Sequence, residues 1–320
     1  MWPVAIFVFF LVMTRLLQTE STFGSWASMD SIVNQALLTA MMALAMSCNM
    51  INGRWDFSMG IIMMVTSFIA SPIIRNNQLN SWALLVLCVV ICTILCLINC
   101  LLYLVIKVPT LVISIGMLLI YESLVMIINN GGGARLSGMR YTQFGRAPQI
   151  YILCAVMFVA FYIIYSHTRF GYNVRSLGNN QLIATNIGVN EKRNTILCYV
   201  LCGVFLGVAS CINVSMKGTI EASSTFNNNM GMMFTAFPAV FIALYLSRYV
   251  NFTVGVFIGA FCIKMLTAGI LALGLPSEIQ DIGVGLFLFL FIALTTNQGR
   301  FSDWRLRRLK ARPGSALDKA

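Results

Sequence analysis

Asp56 and Ser58 stand two residues apart in a short polar break, "CNMINGRWDFSMG" (48–60), set between two apolar runs. Asn52-Gly53 marks a turn ahead of them, and Asp56 or Ser58 can cap the helix that follows. Two readings are open: a tight helix hairpin at a membrane interface, or a broken helix whose free amides, with Asn52, Asp56 and Ser58, line or gate a solute path. Lys264 lies inside a second apolar run, "GAFCIKMLTAG", where a charge is costly unless paired or hydrated. Asp281 or Glu122 is its candidate partner, and a structural pair, a snorkelled ammonium and a pathway residue are all compatible with that placement.

Catalytic chemistry has little to build on. His167 is the only histidine, with no acid or thiol pair beside it, and no cluster of acid, base and nucleophile converges anywhere. No Gly-Lys pair occurs, so the phosphate-binding loop G-x-x-x-x-G-K-[ST] is absent and the chain is not expected to hold ATP. No catalytic residue, cofactor or metal is expected. Cys88, Cys92, Cys96 and Cys100 recur every fourth residue along one helical stripe, but without His, Asp or Glu beside them they read as small packing residues.

The elements that must position these residues are membrane helices. Hydrophobic residues make up 59% of the chain and charged ones 10%, more apolar surface than a soluble fold of this size can hide. Ten runs are long enough to span a bilayer: 2–19, 31–51, 57–74, 81–106, 109–128, 150–166, 194–216, 230–247, 252–274 and 279–297. The expected fold is all-α, a polytopic membrane protein of about ten transmembrane helices. Trp2, Trp26, Trp55, Trp82 and Trp304 fall at or beside run ends, as interfacial residues do. The amino terminus has no basic n-region or small-residue cleavage site and reads as a retained first helix.

The net charge of +11 gathers partly in a tail, 299–320, holding Arg300, Arg305, Arg307, Arg308, Lys310 and Arg312. Beside the last span this is a topology signal and a match for anionic lipid, not a nucleic-acid surface. An even count of spans then places both termini in the cytoplasm, leaving 1–298 as the transmembrane domain. The loop 129–149 disagrees with the charge rule, because it falls outside yet carries Arg135, Arg140 and Arg146.

"PTLVISIGMLL" from Pro109 is echoed by "PSEIQDIGVGL" from Pro276, as an inverted repeat of helices 2–5 and 7–10 would require. A second echo, "DFSMG" at Asp56 and "NFTVG" at Asn251, has a different offset and conflicts with it. Gly255 and Gly259 form a close-packing helix face, open to a neighbouring helix or to a second chain.

The longest polar island is "HTRFGYNVRSLGNNQLIATNIGVNEKR" (167–193), on the cytoplasmic side in the ten-span count. Asn179 or Asn180 can cap a helix of about two turns over "QLIATNI", and Gly188 sits where a glycine terminator is wanted. Leu182, Ile183 and Ile187 give that short helix apolar knobs for a partner's groove, the alternative being a merely solvated loop.

These segments resemble the permease subunits of bacterial ATP-binding-cassette importers for ribose, galactose, xylose and related solutes. The family's Gly-Gly-Ile-Asp-Leu-Ser-Val-Gly is similar to Gly53-Arg54-Trp55-Asp56-Phe57-Ser58-Met59-Gly60, and "KVPTLVISIGMLLIYES" resembles its Lys-Pro-entered helix. The most specific match is the cytoplasmic loop, at Thr168, Arg169, Phe170, Gly171, Gly178, Asn180, Ala184 and Gly188. The resemblance implies that Arg175, Gly178, Asn179, Asn180, Gln181, Leu182, Ile183, Ala184, Ile187 and Gly188 form a coupling helix seated on a separate ATPase, where ATP and Mg would bind. It also implies a second permease subunit, identical or different, an external solute-binding protein, a small polar solute such as a sugar, and a bacterial inner-membrane location. One region departs: the family's Glu-Leu-Asp and glycine clusters are replaced around Met233-Phe234-Thr235 and Ala243-Leu244, which points to an unequal permease pair or a divergent solute. The competing functions are an ion-coupled secondary transporter, for which Glu122 and Asp281 are the sparse acids, and a membrane enzyme.

Overall fold

A computed structural model describes residues 8–9, 11–12, 23–128, 133–136, 138, 141–221, 228–274 and 276–296. The first expected span, 2–19, lies almost wholly outside the described residues, and so do the tail 299–320, Trp2, Trp304 and Arg140. The other nine spans are helices: α1 (Trp26–Ile51), α2 (Met59–Asn76), α3 (Ser81–Ile106), α4 (Thr110–Ile127), α5 (Gln149–His167), α8 (Glu191–Lys217), α9 (Asn228–Leu246), α10 (Phe252–Ala272) and α11 (Ser277–Thr296). Two shorter helices, α6 (Arg169–Asn179) and α7 (Gln181–Asn186), fill the polar island. Among the described residues seven helices, α1 to α5, α8 and α10, are long and apolar enough to cross a membrane. The protein is an all-α polytopic membrane protein.

Helix starts extend past the apolar runs because their first turns are polar and capped. Ser25 Oγ accepts from Ser28 N at 3.3 Å ahead of α1, and Asn190 Oδ1 accepts from Arg193 N at 3.0 Å ahead of α8. Each cap satisfies an amide that the helix itself cannot.

The loop 168–190 lies at one end of the bundle, with Ile51 and Glu191. At the opposite, far end, Tyr151 OH donates to Asp30 Oδ1 at 2.7 Å, joining the starts of α5 and α1. Ala134 and Arg135 (β1) pair antiparallel with Thr219 and Ile220 (β2), just beyond α8. The described parts of the basic loop 129–149 are thus strapped to the far end, opposite 168–190, where the ten-span count put them. Its arginines do not overrule the helix order.

Helix pairing carries an internal symmetry. Exchange α1 with α8, α2 with α9, α3 with α10 and α4 with α11, and the packed pairs among these eight helices map onto one another. The α3–α8 pair becomes α10–α1, α2–α3 becomes α9–α10, and α2–α4 becomes α9–α11, while α1–α8 and α2–α9 map onto themselves. Pro109 precedes α4 and Pro276 precedes α11, which are exchange partners, so that echo follows the repeat. The Asp56 and Asn251 echo does not, because it precedes α2 and α10.

At the centre are α1, α2 and α8, mostly buried, while α3, α4 and α5 keep most of their surface exposed at the rim. On α3 the outward stripe is Trp82, Val86, Val90, Ile94 and Ile98, and the inward stripe is the fully buried Cys88, Cys92, Cys96 and Cys100. The inward stripe meets α8 where Gly203 and Gly207 bring the two backbones together at Thr93 and Val89. Small residues let membrane helices gain dispersion contacts that lipid cannot match.

Candidate coupling loop and translocation path

The polar island is built as two capped helices. Thr168 Oγ1 accepts from Gly171 N at 3.4 Å to start α6, and Asn180 Oδ1 accepts from Ile183 N at 3.1 Å to start α7. Gly188, at φ +95°, ends the turn after α7, with Val189 N donating to Ala184 O at 3.1 Å. Leu182, Ile183 and Ile187 are 77%, 61% and 71% exposed, so the apolar side chains point away from the bundle. Ala184 is buried and serves as the anchor beneath them.

The rest of the expected coupling set holds this knob in place. Arg175 lies over the rings of Tyr172 and Tyr165, its guanidinium carbon 4.6 and 5.3 Å from their centres. A Cβ on Gly178 would sit 2.7 Å from Ile51 O, so α6 abuts the end of α1 there. Asn179, Asn180 and Gln181 are exposed at the α6–α7 corner.

Asn52, Asp56 and Ser58 come together in the linker between α1 and α2, but not as a surface turn. Gly53 takes φ +71°, a left-handed conformation that glycine adopts without strain. Arg54, Asp56 and Ser58 are buried. Trp55, 36% exposed, packs on the rings of Phe237 and Phe241 in α9, and its amide donates to Thr110 Oγ1 at 3.1 Å. With its amide nitrogen donating to Val174 O at 2.8 Å, Asn52 accepts from Asn194 Nδ2 and Arg54 Nη1, both at 3.3 Å. Arg54 Nη2 then reaches Glu191 Oε1 at 3.1 Å. One side chain therefore joins α6, α8 and the linker.

A second chain of hydrogen bonds runs from the linker into the bundle. Asp56 Oδ1 accepts from Ser58 N at 2.9 Å and from Ser58 Oγ at 2.5 Å. Asn99 Nδ2 donates to Ser58 Oγ at 2.6 Å, and Tyr121 OH donates to Asn99 Oδ1 at 3.1 Å. Burial pushes the Asp56 carboxyl up, against the lowering effect of the Ser58 and Asn99 hydrogen bonds.

Lys264 is not part of this network. It lines a separate cavity of about 400 Å³ with Gln35, Thr39, Asn213, Lys217 and Thr235. Neither expected partner reaches that cavity; Asp281 opens instead into a neighbouring one of about 260 Å³ with Phe234 and Val284. Gly255 and Gly259 pack within the chain, facing Ala243 and Ala239 of α9, with the Gly259 Cβ position 2.9 Å from Ala239 Cα. This face is used up by α9 and is not left for a second subunit.

This arrangement, an internally repeated helical bundle with a buried polar linker and an apolar knob on a capped loop, fits a conduit better than a reaction centre. The profile of a family described as "Branched-chain amino acid transport system / permease component" matches residues 28–294. The chain belongs to this permease family. Among curated relatives, the permease is 23% identical to the ribose import permease protein RbsC of Escherichia coli strain K12, over 85% of this chain and 87% of that one. It is 25% identical to the galactofuranose transporter permease protein YtfT of the same organism, over 83% and 78%. It is 21% identical to the galactose/methyl galactoside import permease protein MglC of Haemophilus influenzae, over 90% and 92%. No solved structure matches this chain. Its family is one of transport permeases, not of enzymes.

Sequence reasoning did not find Arg54, Glu191, Asn194, Asn99, Tyr121, Asn213 or Lys217. A buried Asn inside an apolar run, as at Asn99 and Asn213, was the available signal, since an amide in lipid-depth helices has to meet a polar group.

Proposed function

We propose that this permease forms the translocation path of an ATP-driven importer for a sugar or a related small polar solute. Its energy comes from a separate ATPase seated on α7, where ATP and Mg bind. Exposure of Leu182, Ile183 and Ile187 on a helix capped at both ends supports this reading: a solvated loop has no reason to hold three large apolar residues outward. A second permease subunit completes the path, and a solute-binding protein delivers cargo at the far end. Both termini then lie in the cytoplasm with the 168–190 loop.

In this mechanism closure of the ATPase moves α7. The Gly178–Ile51 abutment and the Asn52–Val174 bond carry the displacement to the end of α1, and Arg54–Glu191 carries it to α8. Helices that pack tightly move as rigid bodies, so the linker 52–58 and its Asp56–Ser58–Asn99 network reposition together.

The test is transport in reconstituted vesicles that hold the permease with a candidate ATPase and solute-binding protein from the same organism. Uptake is expected to require ATP hydrolysis and to stop when Leu182→Glu removes ATPase co-purification. Uptake by the permease without any nucleotide-hydrolysing partner would overturn the reading in favour of an ion-coupled carrier.

A further inference from the structure

The cavity around Lys264 has a composition that a path for a neutral sugar does not call for. Lys264 sits midway along α10, and Lys217 is the last residue of α8, at the far end. Both line the same cavity of about 400 Å³, and none of its lining residues is an acid. Among the described residues neither ammonium makes an ion pair. Asp281 opens into the adjoining cavity beyond Thr235, which lines both. Two like charges around one low-dielectric space repel each other and have lost part of their hydration, so the site is poised for a counter-charge.

Asn213 adds an independent pointer. It is fully buried, it lines this cavity, and both its amide nitrogen and its amide oxygen lack a hydrogen-bond partner. A buried amide left unpaired on both sides is costly, and a ligand carrying hydroxyls supplies a donor and an acceptor together. Gln35 and Thr39 contribute further polar groups, while Leu38, Met42, Met216 and Met232 give the apolar remainder of the wall. The volume lies within the range of sites that enclose a small molecule.

We propose that the solute of this permease is an anionic polyhydroxylated small molecule, a sugar bearing a carboxylate or a phosphate. Its anionic group is held between Lys217 and Lys264, and its hydroxyls pair with Asn213. This inference rests on the import reading and narrows the solute class within it. Entry from the far end is favoured by the placement of the two lysines: Lys217 stands exposed at the rim and Lys264 is set deeper, so the positive field leads inward.

The experiment uses the full chain in nanodiscs of zwitterionic phosphatidylcholine, titrated calorimetrically with galactose, galacturonate and galactose 6-phosphate. At least one of the anionic sugars is expected to bind saturably and galactose not to bind at matched concentration. Lys264→Gln should weaken that binding about tenfold or more, and Lys264→Arg should stay within about threefold, because the charge and not the amine carries the contact. Lys217→Gln, at an exposed position, gives the same direction without a burden on folding. The proposal is overturned if galactose binds as tightly as the anionic sugars, if none of the three binds, or if both glutamine variants titrate like the parent. It is also overturned if phosphatidylglycerol in the bilayer abolishes binding, which would make the cavity a lipid headgroup site. The import reading is judged separately by ATP-dependent uptake and ATPase co-purification, so a neutral solute would sink this inference and leave that reading standing.

Discussion

Arg54 Nη2 donates to Glu191 Oε1 at 3.1 Å, an ion pair between residues 137 positions apart that ties the α1–α2 linker to the first turn of α8. The Arg54 side chain is 6% exposed and that of Glu191 31%, so the two halves of the pair are not equivalent. Removing the acid strands a buried guanidinium, with Asn52 as its remaining bonded neighbour. Glu191→Ala should therefore destabilise the fold by about 1–3 kcal/mol. Replacing both partners with apolar residues, Arg54→Met with Glu191→Leu, should destabilise less than Glu191→Ala, since no charge is left buried. Thermal unfolding in detergent of the parent and the two variants checks the order.

Leu182 and Ile187 are the most exposed apolar side chains of the 168–190 loop, and Ala184 between them is buried. Leu182→Glu and Ile187→Glu should change stability by no more than about 0.5 kcal/mol, because neither residue is packed in the chain. Ala184→Glu should instead lower the amount of folded protein. Uptake normalised to the quantity of chain in the membrane separates the two: the exposed variants lose transport at normal abundance, and the buried one loses abundance.

Gly203 and Gly207 hold α8 against α3, and a Cβ at Gly203 would stand 2.5 Å from Thr93 Cα and 3.0 Å from Thr93 N. Backbone cannot step aside as a flexible side chain would. Gly203→Val should cost about 1–3 kcal/mol or more through overpacking. Gly116 in α4 has nothing within 4 Å of its Cβ position, so Gly116→Ala serves as the control and should be neutral or slightly stabilising. Fluorescence-detected size exclusion over a temperature ramp measures both.

Helices were legible because a bilayer forces long apolar runs, and the caps at Asn180 and Gly188 were legible because capping is local chemistry. The polar first turns, such as Trp26 to Ser31 and Glu191 to Arg193, escaped a reading based on hydropathy, and so did the polar helix α6, Arg169–Asn179. Contacts that close over long separations were not legible. Nothing near Arg54 announces Glu191, and nothing near Lys264 distinguishes Lys217 from Asp281 as its neighbour. The repeat lay between these cases: its helices share pairing far more fully than they share residues, so two competing echoes looked alike until α4 and α11 were seen in equivalent places. The glycines at 255 and 259 announced a close contact but could not say with what, because any small-residue helix fits them.

Asp56 offers a pH test of the linker. Its carboxyl is buried and pushed up from the ordinary value, while in the unfolded chain it ionises near pH 3.9, about the usual value for aspartate. Between those two values the folded state holds a proton that the unfolded state has lost. Stability is then fully present below the ordinary value and falls as pH rises through the folded one. Asp56→Asn keeps an oxygen able to accept from Ser58 N and Ser58 Oγ but has no proton to lose, so its stability should not carry this slope. Unfolding temperatures followed between about pH 4 and 7 should drop more steeply for the parent than for Asp56→Asn, and the gap should widen upward through that window. Parallel curves would mean that the Ser58 and Asn99 hydrogen bonds offset burial completely, and that the linker holds its carboxylate ionised at no cost.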